Sequence, residues 1–309
     1  MATLTSVVAV ALLAVARFVE TSMGDDPLRW DLAYDRVVAG RRDLYLAPAG
    51  GGPERRLTND AAADMLPRFS RDGRRLVFSS DRSGTYQLWE MPAGGGDAAR
   101  IRSNQSTDWQ ADDSPDGRRV ALLSKVEGAE ALYVLDRGSG RARALVRHGR
   151  NLKGGRAVLG NPHWSPDGQR IVFSSNVSLG HHIYLVDVAT GRETQISPTT
   201  SGGCEPRFSP DGRKVVYVSR RLWRVKSRIV EHDLEDGSER VLVDWEGLNY
   251  DPVYSPDGTE IAFASTRDGA FAIYRLRLSD GRTWRVTSGP GEARNPDYRP
   301  QVRPGRLTG

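Results

Sequence analysis

The 309-residue chain holds a single cysteine, Cys204, which excludes an internal disulfide and any metal site built from several thiolates. Lysine is almost as scarce: of 44 basic residues only those at 125, 153, 214 and 226 are Lys. That arginine excess reads as a bias of the source genome, and the net charge of +5 as a solvated basic surface, so no specific nucleic-acid partner is expected. Stretches with a helical hydrophobic period are also rare, whereas 33 Gly and 17 Pro supply the residues that tight turns need. The nucleophile-elbow pattern G-x-S-x-G is absent. The five histidines, 148, 163, 181, 182 and 232, show no metal-ligand spacing. Ser279 to Trp284 departs from the spacing of a sialidase Asp-box.

Charge is missing altogether from residues 2 to 16. Val7 to Leu13 form an apolar run, and Ala14-Val15-Ala16 before Arg17 fits a small-residue cleavage site, so residues 1–16 are expected to be an export signal. The run is short for a membrane span, and no transmembrane segment is expected after signal removal. No basic residue precedes it, which leaves a retained hydrophobic helix as the alternative. Residues 17–33, with Gly24-Asp25-Asp26-Pro27, read as a linker.

What the chain does have is one unit, repeated. In NPHWSPDGQRIVFSS, Asn161 to Ser175, the core Ser165-Pro166-Asp167-Gly168 fits a type I turn followed by a residue of positive φ at Gly168. Ile171, Val172 and Phe173 then read as a strand buried on both faces. The motif recurs as FSRDGRRLVF, DSPDGRRVAL, FSPDGRKVVY and YSPDGTEIAF, with the five serines at 70, 114, 165, 209 and 255. A worn copy, Asn295 to Pro300, has Arg299 in the serine place. Five turns at a period of roughly 40–50 residues define a repeat architecture.

Each repeat carries four strands; in the copy around Ser165 these are His163-Trp164, Arg170 to Ser174, Ile183 to Asp187 and Glu193 to Ile196. The fold class expected is all-β, a six-bladed β-propeller over residues 34–301 with a tail at 302–309. No turn motif precedes Arg36, and nothing follows the pre-turn strand Asn295 to Tyr298. One blade is therefore expected to combine a C-terminal strand with N-terminal ones, which closes the ring and leaves no free edge. A monomer is expected. Two stretches break the period, a basic loop from Val146 to Gly160 and Arg220 to Lys226. Arg150, Lys153, Arg221, Trp223 and Arg224 on them are candidate partner contacts.

The pattern P-x-W-S-P-D-G, followed by an I-x-F strand and an I-Y-x-x-D strand, resembles the WD40-like PD40 repeats of the TolB-like propeller family. The resemblance covers roughly residues 34–301. It implies a periplasmic location and a channel mouth at which a protein or peptide partner is received.

Four residues before each turn serine stand Leu66, Gln110, Asn161, Glu205, Asp251 and Asn295. On an innermost strand these would gather at one mouth of the channel, with Glu205 and Asp251 as the only charges. Such oxygen donors suit a peptide, and equally a hard cation such as Ca²⁺. The function expected is that of a non-catalytic exported scaffold with no obligate cofactor. The alternative is a propeller-fold lyase or lactonase with a metal or acid/base site in the channel, Glu205 and Asp251 being the first candidates.

Overall fold

The computed structural model describes residues 29–50, 52–102, 107–126, 129–198, 202–220 and 226–300. The expected export signal, most of the linker, Arg221, Trp223, Arg224 and the tail lie outside the described residues. Among the described residues no helix is long and apolar enough to cross a membrane.

Six four-stranded antiparallel sheets form the blades of a propeller. The innermost strands are Glu292–Tyr298, Asp64–Phe69, Thr107–Asp113, Leu159–Trp164, Gly202–Phe208 and Asn249–Tyr254, taken here as the first to sixth blades. Each packs on the next around the ring, and the last on the first. The first blade joins both ends of the chain: Glu292–Tyr298 pairs with Leu32–Val38, placing Leu32 opposite Tyr298 and Val37 opposite Glu292. This is the closure that the two incomplete ends of the repeat array imply. The first blade includes residues ahead of position 34, since its strand opens at Leu32 and Trp30 is buried edge-on against Tyr298.

The second strand of each blade is the most apolar, and it is buried between neighbouring blades. Ile171, Val172 and Phe173 are fully buried, as are Val215, Val216 and Tyr217 and Ile261, Ala262 and Phe263. Burial of one such large side chain is worth about 1.5–3 kcal/mol, so these strands carry much of the cohesion between blades.

The Ser-Pro-Asp-Gly turns form as their residues dictate. The Gly168 N–H donates to the Ser165 carbonyl at 2.9 Å, and Gly168 has φ +70°. The Ser165 hydroxyl donates to Asp167 Oδ1 at 2.5 Å and accepts the Arg170 N–H at 2.9 Å. In the equivalent turns, the hydroxyls of Ser70 and Ser114 hold the Asp72 and Asp116 carboxyls below the usual carboxylate range. In an up-and-down blade these turns share one face of the disc, and the insertion over 146–160 lies on the other.

The insertion differs from the loop expected over 146–160. Val146 ends the strand Ala142–Val146, and Leu159 and Gly160 open Leu159–Trp164. Between them the chain folds into a small hairpin of its own, with Ala157 N–H on Gly149 O at 3.0 Å and Asn151 N–H on Gly155 O at 2.8 Å. It is pinned to the next blade by the Val158 N–H on Asn176 Oδ1 at 2.7 Å.

Candidate functional site

All six residues singled out before the turns stand midway along the innermost strands, and all six are left-handed. Leu66, Gln110, Asn161, Glu205, Asp251 and Asn295 have φ between 50° and 58°. Five of them precede a proline, which ordinarily biases a residue toward negative φ and extended backbone. Each coincides with a register shift in the pairing with the neighbouring strand. A bulge of this kind re-aims a side chain. At Gln110, Glu205 and Asp251 it brings a side-chain oxygen to the backbone of the next blade.

The result is a girdle of hydrogen bonds around part of the ring. The Asn161 N–H donates to Gln110 Oε1 at 2.7 Å, the Asp251 N–H to Glu205 Oε2 at 2.6 Å, and the Asn295 N–H to Asp251 Oδ2 at 3.1 Å. The sequence continues through the fully buried Asp35, whose Oδ2 accepts Asn295 Nδ2 at 2.7 Å and the Leu66 N–H at 3.0 Å. Leu66 has no acceptor to pass on, and the Gln110 N–H takes Ser79 Oγ instead, at 3.3 Å.

The two carboxylates of the ring are not left alone. Arg294 donates through Nε and Nη2 to Asp251 at 3.0 and 3.3 Å and lies 3.6 Å from Glu205 Oε1. Its guanidinium covers the Tyr250 and Phe271 rings at 5.0 and 4.8 Å. Burial, together with the Asp251 charge and against the pull of Arg294, pushes the Glu205 carboxyl up to about 8. A hard cation between Glu205 and Asp251 would compete with Arg294 for the same oxygens. Among the described residues no group of three or more His, Cys, Asp or Glu side chains has the arrangement of a metal site.

A second ring, missed in the sequence reading, lies two residues further along: Arg68, Asp112, His163, Arg207, Val253 and Asp297. The signal was available in the repeats as polar residues two places before four of the five turn serines, Val253 being the exception. Three of these also accept from the next blade. The Phe69 N–H donates to Asp297 Oδ2 at 2.8 Å, the Trp164 N–H to Asp112 Oδ2 at 2.8 Å, and the Phe208 N–H to His163 Nδ1 at 3.1 Å. Accepting at Nδ1 fixes the His163 proton on Nε2. Burial, with Arg71 and Arg68 nearby, holds its pKa well below the ordinary value. Burial pushes the Asp297 carboxyl up to about 6. Above this ring, on the face of the turns, a cavity of about 300 Å³ is lined by Phe69, Phe208 and Tyr254, by Pro166, Pro210 and Pro256, and by Arg71, Asp112, His163 and Asp297.

Of the candidates on the insertions, Arg150 and Lys153 are exposed and lie on the opposite face from this cavity. Arg150 Nη1 donates to the Gly154 carbonyl at 2.7 Å within its hairpin. The same hairpin brings His148 Nδ1 to 2.7 Å from Ser175 Oγ and Nε2 to 2.8 Å from Glu193 Oε2. These are the residue types of a hydrolytic triad. Ser175 is fully buried, and its hydroxyl also accepts the Val177 N–H at 3.2 Å. No substrate reaches it, and the cluster serves to fasten the insertion.

Residues 29–151 match the family model described as the TolB beta propeller domain. An uncharacterised protein of Agrobacterium fabrum is 31% identical over 131 residues, which is 42% of this chain and 44% of that protein. The Tol-Pal system protein TolB of Francisella tularensis subsp. mediasiatica is 26% identical over 182 residues, 44% of this chain and 42% of the relative. The matches thus span less than half the length of these curated relatives. The crystal structure of TolB from Acinetobacter baumannii superposes with a TM-score of 0.76 at 18% identity, over 89% of this chain and 68% of that one. An oligogalacturonate lyase from Vibrio parahaemolyticus shares the fold more loosely, at a TM-score of 0.52 and 16% identity over 85% of this chain and 75% of that one. The repeats within residues 29–151 match the PD40 family model, and the ring that the whole array builds has the fold of the TolB propeller.

Proposed function

We propose that the chain is an exported, non-catalytic propeller that holds a protein or peptide partner in its channel, without a cofactor. The observation that carries this reading is the 300 Å³ cavity on the face of the turns, whose walls combine Phe, Tyr and Pro side chains with charged groups of both signs. Such walls suit an extended peptide, with apolar area for affinity and polar groups for register. Beneath it, Gln110, Asn161, Glu205, Asp251 and Asn295 form the waist of the channel and offer the polar atoms that the girdle does not use. The likeness to a Tol-Pal system protein supports a periplasmic setting for this role.

A second reading, a propeller-fold lyase, is favoured by one feature, the raised pKa of Glu205 beside Asp251 and Arg294. Against it, Glu205 Oε2 is already committed to the Asp251 N–H at 2.6 Å. Capture from a native envelope fraction, with the intact chain and with Pro166→Tyr/Pro210→Tyr as bait, separates the two readings. Both prolines are exposed at the rim, so the added rings should obstruct the mouth and remove the captured partner. Equal capture by the two baits, or turnover of an oligouronide abolished by Glu205→Gln, overturns the scaffold reading.

A further inference from the structure

Two arginines of the second ring stand on opposed blades. Arg68 belongs to the second blade and Arg207 to the fifth, at the same position of their innermost strands, and they are only 8% and 5% exposed. Each donates Nη1 to the carbonyl of the proline before it, Pro67 at 2.9 Å and Pro206 at 3.1 Å. The carboxylate nearest to Arg68 is Asp297, at 3.9 Å, and its Oδ2 already accepts the Phe69 N–H. Among the described residues Arg207 forms no ion pair, and the proline carbonyl is its one hydrogen-bond partner. A guanidinium that keeps little contact with water and has no paired carboxylate, as at Arg207, gains from an anion beside it.

Both side chains line one small cavity of about 10 Å³, together with Gln110, Asn161 and three apolar residues. That is room for one water-sized particle. The oxygen of Gln110 is occupied by the Asn161 N–H, which leaves its NH₂ group as a donor. No carboxylate lines the cavity. Two positive charges and amide donors therefore surround a space with no negative group in its walls.

We propose that this cavity binds one small monovalent anion, held between Arg68 and Arg207 and by the side-chain amides of Gln110 and Asn161. A water molecule would fill the space but not balance the charge. Phosphate and sulfate are too large for it. Two sources supply the same chemistry, a free halide or a carboxylate group reaching down from the larger cavity, which Phe69 and Phe208, the residues after the two arginines, help to line. The site does not depend on whether a macromolecular partner binds.

Crystals of the intact chain grown with bromide in place of chloride test this directly. Anomalous density between Arg68 and Arg207 is expected in the wild type, and none in Arg207→Met. In solution, chloride should raise the Tm above that in methanesulfonate, an anion too bulky for the cavity, at equal ionic strength. The shift should saturate with concentration, as binding to the native state requires, and vanish in Arg207→Met. Displacement of bromide by formate assigns the site to carboxylates as well, and retention against excess formate restricts it to halides. Wild-type crystals without bromide at this position, with equal Tm values in the two salts, overturn the proposal whether or not the variant folds.

Discussion

Glu205 Oε2 accepts the backbone N–H of Asp251, one blade further on, at 2.6 Å. Both residues have positive φ, and that conformation is what allows a side chain of the fifth blade to reach the backbone of the sixth. Asp251 repeats the move toward Asn295 at 3.1 Å. A residue type that reads as a binding group in the repeats thus also ties neighbouring blades together, and its removal has two separable consequences.

Asp251→Leu should destabilise the protein by about 2–3 kcal/mol, because it removes both hydrogen bonds of Arg294, leaving it only Glu205 at 3.6 Å, and leaves the Asn295 N–H without an acceptor. Asp251→Asn keeps an acceptor oxygen and should cost less. Urea unfolding of the two variants measures the difference. Equal midpoints would mean that the girdle contributes nothing to cohesion between blades.

Stability should also fall as the pH is raised. Glu205 is pushed up to about 8 and Asp297 to about 6 in the folded chain, above their ordinary values. An acid whose folded pKa is raised contributes stability that is complete below its unfolded pKa and is lost as pH climbs through the folded one. Melting temperatures should therefore decline from pH 5 to pH 9, first through the Asp297 step and then through the Glu205 step. The loss is on the order of several kcal/mol, since one pKa unit is worth about 1.4 kcal/mol and the raised Glu205 value already includes the pull of Arg294. Glu205→Gln mimics the protonated acid and should flatten the upper step, so that at pH 8.5 it melts no lower than the wild type.

The blade count, the turn and the closing strand were legible because each rests on local chemistry repeated in register. Gly168 follows a Ser-Pro-Asp turn, and Asn295 to Tyr298 reads as a strand without a partner. The bulge was not legible. Asn161, Glu205, Asp251 and Asn295 each precede a proline, and the local preference is for extended backbone. Tertiary hydrogen bonds override it, and the signal for those bonds lies 44 to 51 residues away, in the neighbouring blade. Arg68 and Arg207 are not legible for a related reason, since a lone arginine near a strand end resembles any solvated one until the ring closes around it.

Deleting residues 292–309 removes the strand paired with Leu32–Val38, which uncovers the edge of that strand and the packing face of the sixth blade. Such an edge pairs with other chains. The truncated chain should aggregate or melt far below the wild type, and unchanged melting and solubility would contradict the closure.

Gly168→Val should cost about 1–2 kcal/mol or more, since a β-branched residue is poorly tolerated at positive φ. A Cβ there would meet Pro115 Cδ at 3.5 Å, an ordinary contact. The cost is thus backbone strain and not collision, and Gly168→Asn, which tolerates a left-handed backbone better, should recover part of it in thermal melts.

Charge reversal on the insertion decides which face of the disc meets the proposed partner. Arg150 and Lys153 are exposed on a hairpin whose own backbone hydrogen bonds hold it together, so Arg150→Glu/Lys153→Glu should fold with a stability change within about 0.5 kcal/mol. Charges at the rim of an interface act mainly on association rate and its salt dependence, whereas groups in a desolvated cavity govern dissociation. With the partner seated in the cavity on the face of the turns, the double reversal should leave capture from the envelope fraction intact and alter neither its salt dependence nor its off-rate. Pro166→Tyr/Pro210→Tyr should abolish that capture. The opposite pair of results, capture lost on charge reversal and kept when the mouth is obstructed, moves the interface to the insertion face and leaves the channel to its bound anion.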